Sequence, residues 1–207
     1  LASITAFPEA TVTEYVAAIF DLGVRWPVLA PLFGTTETAR YTLPESCPYE
    51  TRHWVVTTRG HAHLSRGAYG KAWTEYKQVL EQAQADGDRH DEAASLKNLG
   101  NVAHELGEYE QAREYYHQSL DIVCELGDRH GEAASLQGLG NVALALDEYQ
   151  QAREYYHQSL DIKREIGDRH GEARSLNNLG NVARELGEYE QAREYYHQSL
   201  DIKREIG

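Results

Sequence analysis

The chain of 207 residues has no methionine and only two cysteines. Cys47 and Cys124 lie far apart and neither belongs to a CxxC pair, so the sequence predicts neither a disulfide framework nor a zinc site. The scarcity of cysteine favours a cytoplasmic location. The start at Leu1, in a chain without methionine, is typical of a fragment of a longer protein. Residues 1–8 also lack the basic and apolar regions of a signal peptide.

Long hydrophobic runs are missing as well. The longest apolar stretch, 24–33, is interrupted by Arg25, Pro27 and Pro31 and is too short to cross a bilayer. Basic residues are few, because 20 Lys and Arg stand against 33 Asp and Glu and give a net charge of -13. An acidic chain repels phosphate backbones, which argues against nucleic acid as the main ligand. We therefore expect no membrane segment and a protein or peptide as the partner.

What the sequence does have is an internal repeat. Gly-Asp-Arg-His occurs at Gly87, Gly127 and Gly167, which gives a period of 40 residues. Residues 148–167 match 188–207 at every position except Gln150, which is Glu190 in the second copy. Within each unit apolar residues recur at spacings of three and four in two runs, the pattern of two amphipathic helices. Each unit is predicted to be a helical hairpin, and the fold class is predicted to be all-α.

The residues between the helical runs fit this interpretation. Gly107 lies between the helices of one unit and Gly127 lies between units, where glycine can end a helix in the left-handed conformation. Asp128 is placed to cap the helix that follows. In the next unit Asp147 replaces the turn glycine, and aspartate is a residue type that tolerates the same backbone conformation.

The residues of the repeat units resemble a known family. Leu99-Gly100, Ala112, Tyr116 and Ser119 stand at the offsets of the tetratricopeptide pattern, and the equivalent residues recur in the next two units. In that family the small residues let paired helices approach and the aromatic ring fills the gap between them. The long unit and its Leu-Gly-Asn tripeptide are similar to the extended repeats of Leu-Gly-Asn polarity proteins and of many prokaryotic signalling proteins.

The resemblance implies a tetratricopeptide-like α-solenoid of helical hairpins. Its units are 87–126, 127–166 and 167–207, and a small module at 1–46, similar to a winged-helix segment, precedes the array. A degenerate first unit, 47–86, aligns through Gly60, Tyr69, Ala72 and Tyr76, but it has Arg59 and His61 beside that glycine in place of Leu and Asn.

A candidate binding groove follows from the first helix of each unit. Its polar residues share one arc and its apolar residues share the opposite one. The apolar set is constant between units, whereas the polar arc varies. The resemblance implies that this arc lines the inner groove and binds a peptide or partner surface, with the unvarying Asn101, Asn141 and Asn181 hydrogen-bonding ligand backbone. The alternative is that this arc is only solvated surface, whose residues have changed freely since the units were duplicated. The candidate groove residues are Lys97, Asn98, Asn101, His104, Gln137, Asn141, Arg174, Asn177, Asn178, Asn181 and Arg184.

Motifs for catalysis are absent from the sequence. It has no GxxxxGK[ST] loop, no GxSxG elbow and no HExxH, so we expect no catalytic residue, no cofactor and no enzyme. His117, His157 and His197 recur at the repeat period, so repetition explains them better than metal binding does. His61 and His63 point to different helix faces, and no metal site is predicted there. Paired tyrosines are predicted to serve core and inter-repeat packing rather than base stacking.

Residues 1–46 form a different module. The sequence predicts a helix over 10–22, an apolar segment over 24–33 and a short strand over 39–43. This order resembles the winged-helix segment that precedes tetratricopeptide repeats in signalling NTPases of the STAND class. That resemblance implies an alternative function, the ligand-sensing arm of an ATP-dependent signalling or transcription regulator. The class's nucleotide-sensing histidine has no counterpart, because Leu43-Pro44-Glu45 stands near its place.

Two further expectations concern the ends of the chain. DNA binding through 1–46 is a second alternative, although Arg25 and Arg40 are the only basic residues there. At the other end the apolar side of the last helix, which includes Leu200 and Ile206, has no following helix. We therefore expect either self-association at this end or a longer natural array. The leading hypothesis remains a scaffold or signalling module that binds a protein or peptide.

Overall fold

A computed structural model describes residues 56–58, 60–61 and 63–207. The helix, apolar segment and strand predicted within residues 1–46 lie outside the described residues. All regular secondary structure in the described part is helical, and the residues described between 56 and 65 are helical too. The helices that follow are α1 (Tyr69–Asp86), α2 (Arg89–Glu105), α3 (Tyr109–Leu126), α4 (Arg129–Ala145), α5 (Tyr149–Glu165), α6 (Arg169–Glu185) and α7 (Tyr189–Ile206).

The chain divides into two compact units, Leu1–Gln82 and Ala83–Gly207. The second unit holds α2 to α7, and each helix in it packs against the next one along the chain. The pairs α2 and α3, α4 and α5, and α6 and α7 form hairpins, and α2 also contacts α4. The second unit is therefore an α-solenoid of helical hairpins, which confirms the predicted fold class. The predicted domain boundary near residue 46 stays a prediction.

One tyrosine ring fills the middle of each hairpin. Tyr116 on α3 and Tyr156 on α5 are at most 2% exposed. A methyl group at Gly140 would lie 2.5 Å from Cε1 of Tyr156, so the bare backbone of α4 is the surface against which this ring packs. The same contact joins Gly100 to Tyr116. These contacts confirm that small residues let the paired helices approach while the aromatic ring fills the gap.

The apolar core continues from one hairpin to the next. Ala143, Tyr156, Leu179, Val182 and Ile202 belong to one buried cluster that draws on four consecutive helices. Tyr116 also borders the following hairpin, where a methyl group at Gly138 would lie 2.5 Å from its ring. The core is therefore a continuous layer between stacked hairpins, since neighbouring hairpins cover one another's apolar faces.

The turns have the predicted conformations. Gly127 ends α3 with φ 68°, in the left-handed region. Asp128 caps α4, and its carboxylate accepts a hydrogen bond from the Gly131 N–H at 3.0 Å. Asp147, in place of the turn glycine, has φ 59°. Its carboxylate accepts a hydrogen bond of 2.7 Å from the Tyr149 hydroxyl, which ties this turn to the start of α5.

Polar contacts set how the helices align. The Arg129 guanidinium contacts Glu132 on its own helix and Glu165 at the end of α5. Arg153 reaches Glu188 at the start of the next hairpin with an N–O distance of 2.6 Å. Exposed ion pairs contribute about 0–1 kcal/mol each, so their main effect is to fix the alignment of helices that the core already stabilises. The two contacts of Arg129 give a physical reason for the arginine of the Gly-Asp-Arg-His motif.

The described part of the first compact unit repeats the tyrosine packing. Ala72 and Tyr76 are fully buried, and a methyl group at Gly60 would lie 2.5 Å from the Tyr76 ring. His61 stands where later units have asparagine, and its ring meets Tyr76 edge-on with a centroid distance of 5.7 Å. The Tyr76 hydroxyl is buried and has no hydrogen-bond partner among the described residues, and burial raises its pKa.

In the part of the chain that the structure describes, no helix has the length and apolar character required to span a bilayer.

The contact between glycine and tyrosine generates the first prediction. Replacing Gly140 with Ala should lower the free energy of unfolding by about 1–3 kcal/mol, because the added methyl group overlaps the Tyr156 ring and one of the two helices must move. Chemical denaturation of the two proteins measures the change.

Gly70 provides the matched control, since it lies in α1 and a methyl group there would meet no atom within 4 Å. Gly70→Ala should leave stability unchanged or raise it by up to about 1 kcal/mol through helix propensity. Equal stability of Gly140→Ala and wild type would contradict the packing role given to this glycine.

Candidate functional site

The polar arcs of α2, α4 and α6 meet at a cavity of about 300 Å³ in the second compact unit. Residues of α5 and of the turn that follows it complete the wall. The cavity brings together five of the predicted groove residues, Lys97, Asn101, Gln137, Asn141 and Arg174. We call this cavity the inter-hairpin pocket. Its other lining residues are His130, Ala133, Ala134, Gly138, Lys163, Ile166, Asp168, His170 and Gly171.

The remaining candidate residues lie outside the lining of the inter-hairpin pocket. Asn98 is buried, at 6% exposure. His104 lies 3.7 Å from Glu105 and packs edge-on against the Tyr109 ring. Arg184 pairs with Glu185 at 2.7 Å. Asn177, Asn178 and Asn181 lie on α6 and are half-buried. Whether any of these residues contacts a ligand stays a prediction.

The recurring asparagines have a structural partner that was not predicted from the sequence. The Tyr156 hydroxyl donates a hydrogen bond of 2.7 Å to Asn141 Oδ1. Tyr116 makes the same bond to Asn101, and Tyr196 makes it to Asn181. Each bond satisfies a tyrosine hydroxyl whose ring lies in the hairpin, which is a reason for asparagine independent of any ligand. It also occupies the amide oxygen and leaves the NH₂ group as the part of the side chain able to donate.

Lys163 is the most buried charged group on the wall of the inter-hairpin pocket. It extends from α5, is 5% exposed, and its ammonium donates to Gln137 Oε1 and, at 3.0 Å, to Ser175 Oγ. Burial, and to a smaller extent the nearby positive charge of Arg174, lower the pKa of Lys163 to about 8, while the negative charge of Asp168 opposes both effects. A cation whose hydrogen-bond partners are neutral keeps most of its desolvation cost.

The backbone opposite Lys163 is shaped to accept its stem. A methyl group at Gly171 would lie 2.8 Å from Cδ of Lys163. In the preceding unit Val123 takes the place of the lysine and Gly131 takes the place of this glycine, with a similar close contact. Glycine at the first turn of α6 therefore leaves room for the capping carboxylate of Asp168, which a methyl group would meet first, and also for the stem of Lys163.

The charges around the inter-hairpin pocket are mainly positive. Lys97 and Arg174 join Lys163 on its wall, and burial lowers the pKa of Lys97 while Asp128 raises it. Asp168 is the one acidic residue of the lining, and its carboxylate accepts the cap hydrogen bond from the Gly171 N–H at 2.8 Å. The inter-hairpin pocket thus has the opposite sign to the net charge of -13 on the chain.

The repeated histidines pack between units. The ring of His157 on α5 meets Tyr195 on α7 edge-on with a centroid distance of 6.2 Å, and His117 meets Tyr155 in the same way. These contacts confirm the prediction that the paired tyrosines serve core and inter-repeat packing.

The tetratricopeptide repeat model matches residues 52–125 and 126–205. The chain belongs to the tetratricopeptide repeat family. No curated protein matches the sequence.

Solved structures with the tetratricopeptide architecture are similar in fold. BtubC (BKLC) from P. vanneervenii has a TM-score of 0.73 at 17% identity, over 96% of this chain and 82% of that one. The apo form of RapI has a TM-score of 0.77 at 16% identity, over 96% of this chain and 71% of that one.

A signal transduction ATPase with numerous domains (STAND) and a tetratricopeptide repeat sensor, from Pyrococcus horikoshii, has a TM-score of 0.68 at 19% identity. The match covers 92% of this chain and 28% of that one. At these identities the likeness extends to the fold alone.

The place of Lys163 in the site was not predicted from the sequence, although a signal for it was present. The variable polar arc lies on the first helices, whereas Lys163 lies on a second helix. It replaces Val123, which is buried in the preceding unit, and Lys203 occupies the same position in the last unit. A lysine on the buried face of an amphipathic helix indicates that its ammonium group either has a function or is exposed to a cavity.

The buried ammonium generates the second prediction. Lys163→Met should raise the free energy of unfolding at pH 7 by about 1–3 kcal/mol, because the folded state no longer desolvates a cation. In the wild type the unfolded chain binds more protons between pH 8 and the ordinary lysine pKa near ~10.4, so wild-type stability rises with pH in this window. The advantage of the variant should therefore shrink as the pH rises above 8.

Urea denaturation at pH 7 and pH 9.5 measures both effects. Lys203→Met is the matched control, since Lys203 occupies the same repeat position and is exposed. It should change stability by less than about 0.5 kcal/mol at either pH. A Lys163→Met protein whose difference from wild type is constant between these two pH values would contradict the lowered pKa.

Proposed function

We propose that the chain is a non-catalytic binding module that takes an extended peptide segment of a partner protein along the first-helix face of its hairpins. The observation that carries the proposal is the inter-hairpin pocket, which lies where polar residues of three first helices meet. Because the solenoid buries its apolar residues between hairpins, this polar face is the surface available to bind a partner.

Backbone recognition is the chemistry that the asparagines support best. Each Asn Oδ1 is held by a tyrosine hydroxyl at 2.7 to 2.8 Å, which fixes the orientation of the amide. The NH₂ group is then a donor in a set position, repeated in the three hairpins of the second compact unit. A row of fixed donors suits the carbonyl groups of an extended peptide, and preorganisation lowers the entropy cost of binding.

One of the fold comparisons is with a protein of related architecture that was solved with a bound factor. A Rap protein complexed with Competence and Sporulation Factor has a TM-score of 0.71 at 17% identity, over 92% of this chain and 51% of that one. We propose by analogy that the present chain acts as a scaffold or a signalling module in the cytoplasm. The alternatives of a sensing arm and of DNA binding depend on residues 1–46, outside the described residues, and stay predictions. Self-association through the last helix also stays a prediction.

The third prediction tests the asparagine donors. Replacing Asn101, Asn141 and Asn181 with Asp keeps an oxygen that accepts from each tyrosine hydroxyl but removes the NH₂ group. The affinity for uncharged peptides, selected on the wild-type chain from a random display library, should fall about tenfold or more. Isothermal titration calorimetry measures the dissociation constants.

A second triple variant controls for the added negative charge. Gln118, Gln158 and Gln198 share one repeat position and are exposed on the second helices. Their replacement with Glu adds the same total charge, and the affinity should stay within about twofold of wild type. Peptide binding that is unchanged in the asparagine variant, or weakened equally in both, would contradict the proposed binding face.

A further inference from the structure

We infer that Lys163 is a site of carbamate formation, at which its side-chain nitrogen adds reversibly to carbon dioxide inside the inter-hairpin pocket. The lone pair of the neutral amine forms a bond to the carbon of CO₂, one C–O π pair moves onto an oxygen, and the nitrogen releases one proton to water. The side chain then ends in an NH–COO⁻ group. The reaction needs no oxidant and no bound partner, so this inference goes beyond the proposed function and does not depend on it.

The contacts of Lys163 suit the neutral amine from which the reaction starts. A neutral amine has two N–H donors and a lone pair, and the structure gives this nitrogen two neutral acceptors, Gln137 Oε1 and, at 3.0 Å, Ser175 Oγ. No carboxylate of the described residues forms an ion pair with it, although the residue is 5% exposed. Burying an unpaired cation is costly, and burial is the main reason that the pKa of Lys163 is lowered to about 8. At pH 7 about a tenth of the amine is therefore neutral and nucleophilic, against about 0.04% of an ordinary lysine.

The charges around the nitrogen suit the product. Arg174 and Lys97 also line the inter-hairpin pocket, and the positive charge of Arg174 acts on Lys163 strongly enough to lower its pKa. A carbamate replaces a positive charge with a negative one, so the same neighbours change from repelling the side chain to attracting it. Asp168, the one acidic residue of the lining, opposes this effect. The other titratable residues of the lining are His130 and His170.

These charges also favour carbon dioxide over other electrophiles that react with amines. An aldehyde would give an imine and an acyl donor would give an amide, and neither product has a negative charge for Arg174 to stabilise. The hydrogen-bond partners fit a carbamate as well, because the Ser175 hydroxyl and the Gln137 amide can donate to a carbamate oxygen as readily as they accept from the amine. The cavity of about 300 Å³ has room for the added group.

The equivalent residues of the neighbouring units differ from Lys163. Residues 159–167 and 199–207 are identical in sequence, yet Lys203 is exposed and does not line the inter-hairpin pocket. In the preceding unit the equivalent residue is Val123, which is buried and has no amine. Of these three positions, 163 alone combines an amine with burial.

Chemical trapping of the carbamate tests the inference on the full chain. The protein is equilibrated with isotopically labelled bicarbonate at pH 7, the carbamate is ethylated with triethyloxonium, and the labelled lysines are located by peptide mass spectrometry. Residues 154–163 and 194–203 are identical, so tryptic peptides from the two sites cannot be told apart in the wild type. The Lys203→Met chain therefore reports on Lys163, and the Lys163→Met chain reports on Lys203.

Lys163 should carry about tenfold or more label than Lys203, because a larger fraction of its amine is neutral at pH 7. Equal labelling of the two lysines would overturn the inference. Carbon NMR of the untrapped protein in the same bicarbonate gives a second readout. A carbamate resonance should be present in the wild type and in Lys203→Met and absent from Lys163→Met, and its persistence in Lys163→Met would place the carbamate elsewhere and overturn the assignment.

Arg174→Gln, made in the Lys203→Met chain, tests the part played by the positive lining. Loss of the guanidinium should lower the label on Lys163 about threefold or more, because the carbamate loses a favourable charge and the amine becomes easier to protonate. Arg193→Gln in the same chain is the matched control, since Arg193 is exposed and does not line the inter-hairpin pocket. It should leave the label within about twofold. A label on Lys163 that responds equally to both changes would overturn the electrostatic basis of the inference.

Discussion

The contact between a tyrosine ring and a bare stretch of helix backbone is the constraint on which the rest of the structure depends. The Tyr156 ring fits against α4 because Gly140 has no side chain, and the helices of the hairpin can then approach closely. Only with that approach does the tyrosine hydroxyl reach Asn141, at 2.7 Å. One packing contact thus fixes the spacing of the hairpin and the orientation of an amide on the binding face.

Much of the fold was predictable from the sequence because local rules and the repeat agree. The glycine and aspartate turns at Gly127 and Asp128 have the predicted left-handed and capping conformations, and Asp147 takes the positive φ that its position requires. These features depend on backbone sterics and short-range hydrogen bonds. The sequence period alone was enough to align them.

The candidate site was less predictable, because it depends on contacts between units. Helix phase correctly grouped Lys97 and Asn141 on one arc, but it gave no sign that Asn141 accepts from a tyrosine 15 residues further along the chain. Lys163 lies on a second helix, and it reaches the inter-hairpin pocket because a glycine on the following helix leaves room. This contact is visible only when two helices that are separate in sequence are placed together.

The ion pairs that join one hairpin to the next recur with the same spacing, as in Arg113 with Glu148 and Arg153 with Glu188. Each unit therefore presents a donor to its successor and an acceptor to its predecessor. A duplicated unit inserted in register meets matching partners at both of its junctions. Array length can then evolve in whole steps while stability is preserved, and a single substitution on one copy, such as valine to lysine, can give the lengthened surface a new chemical preference.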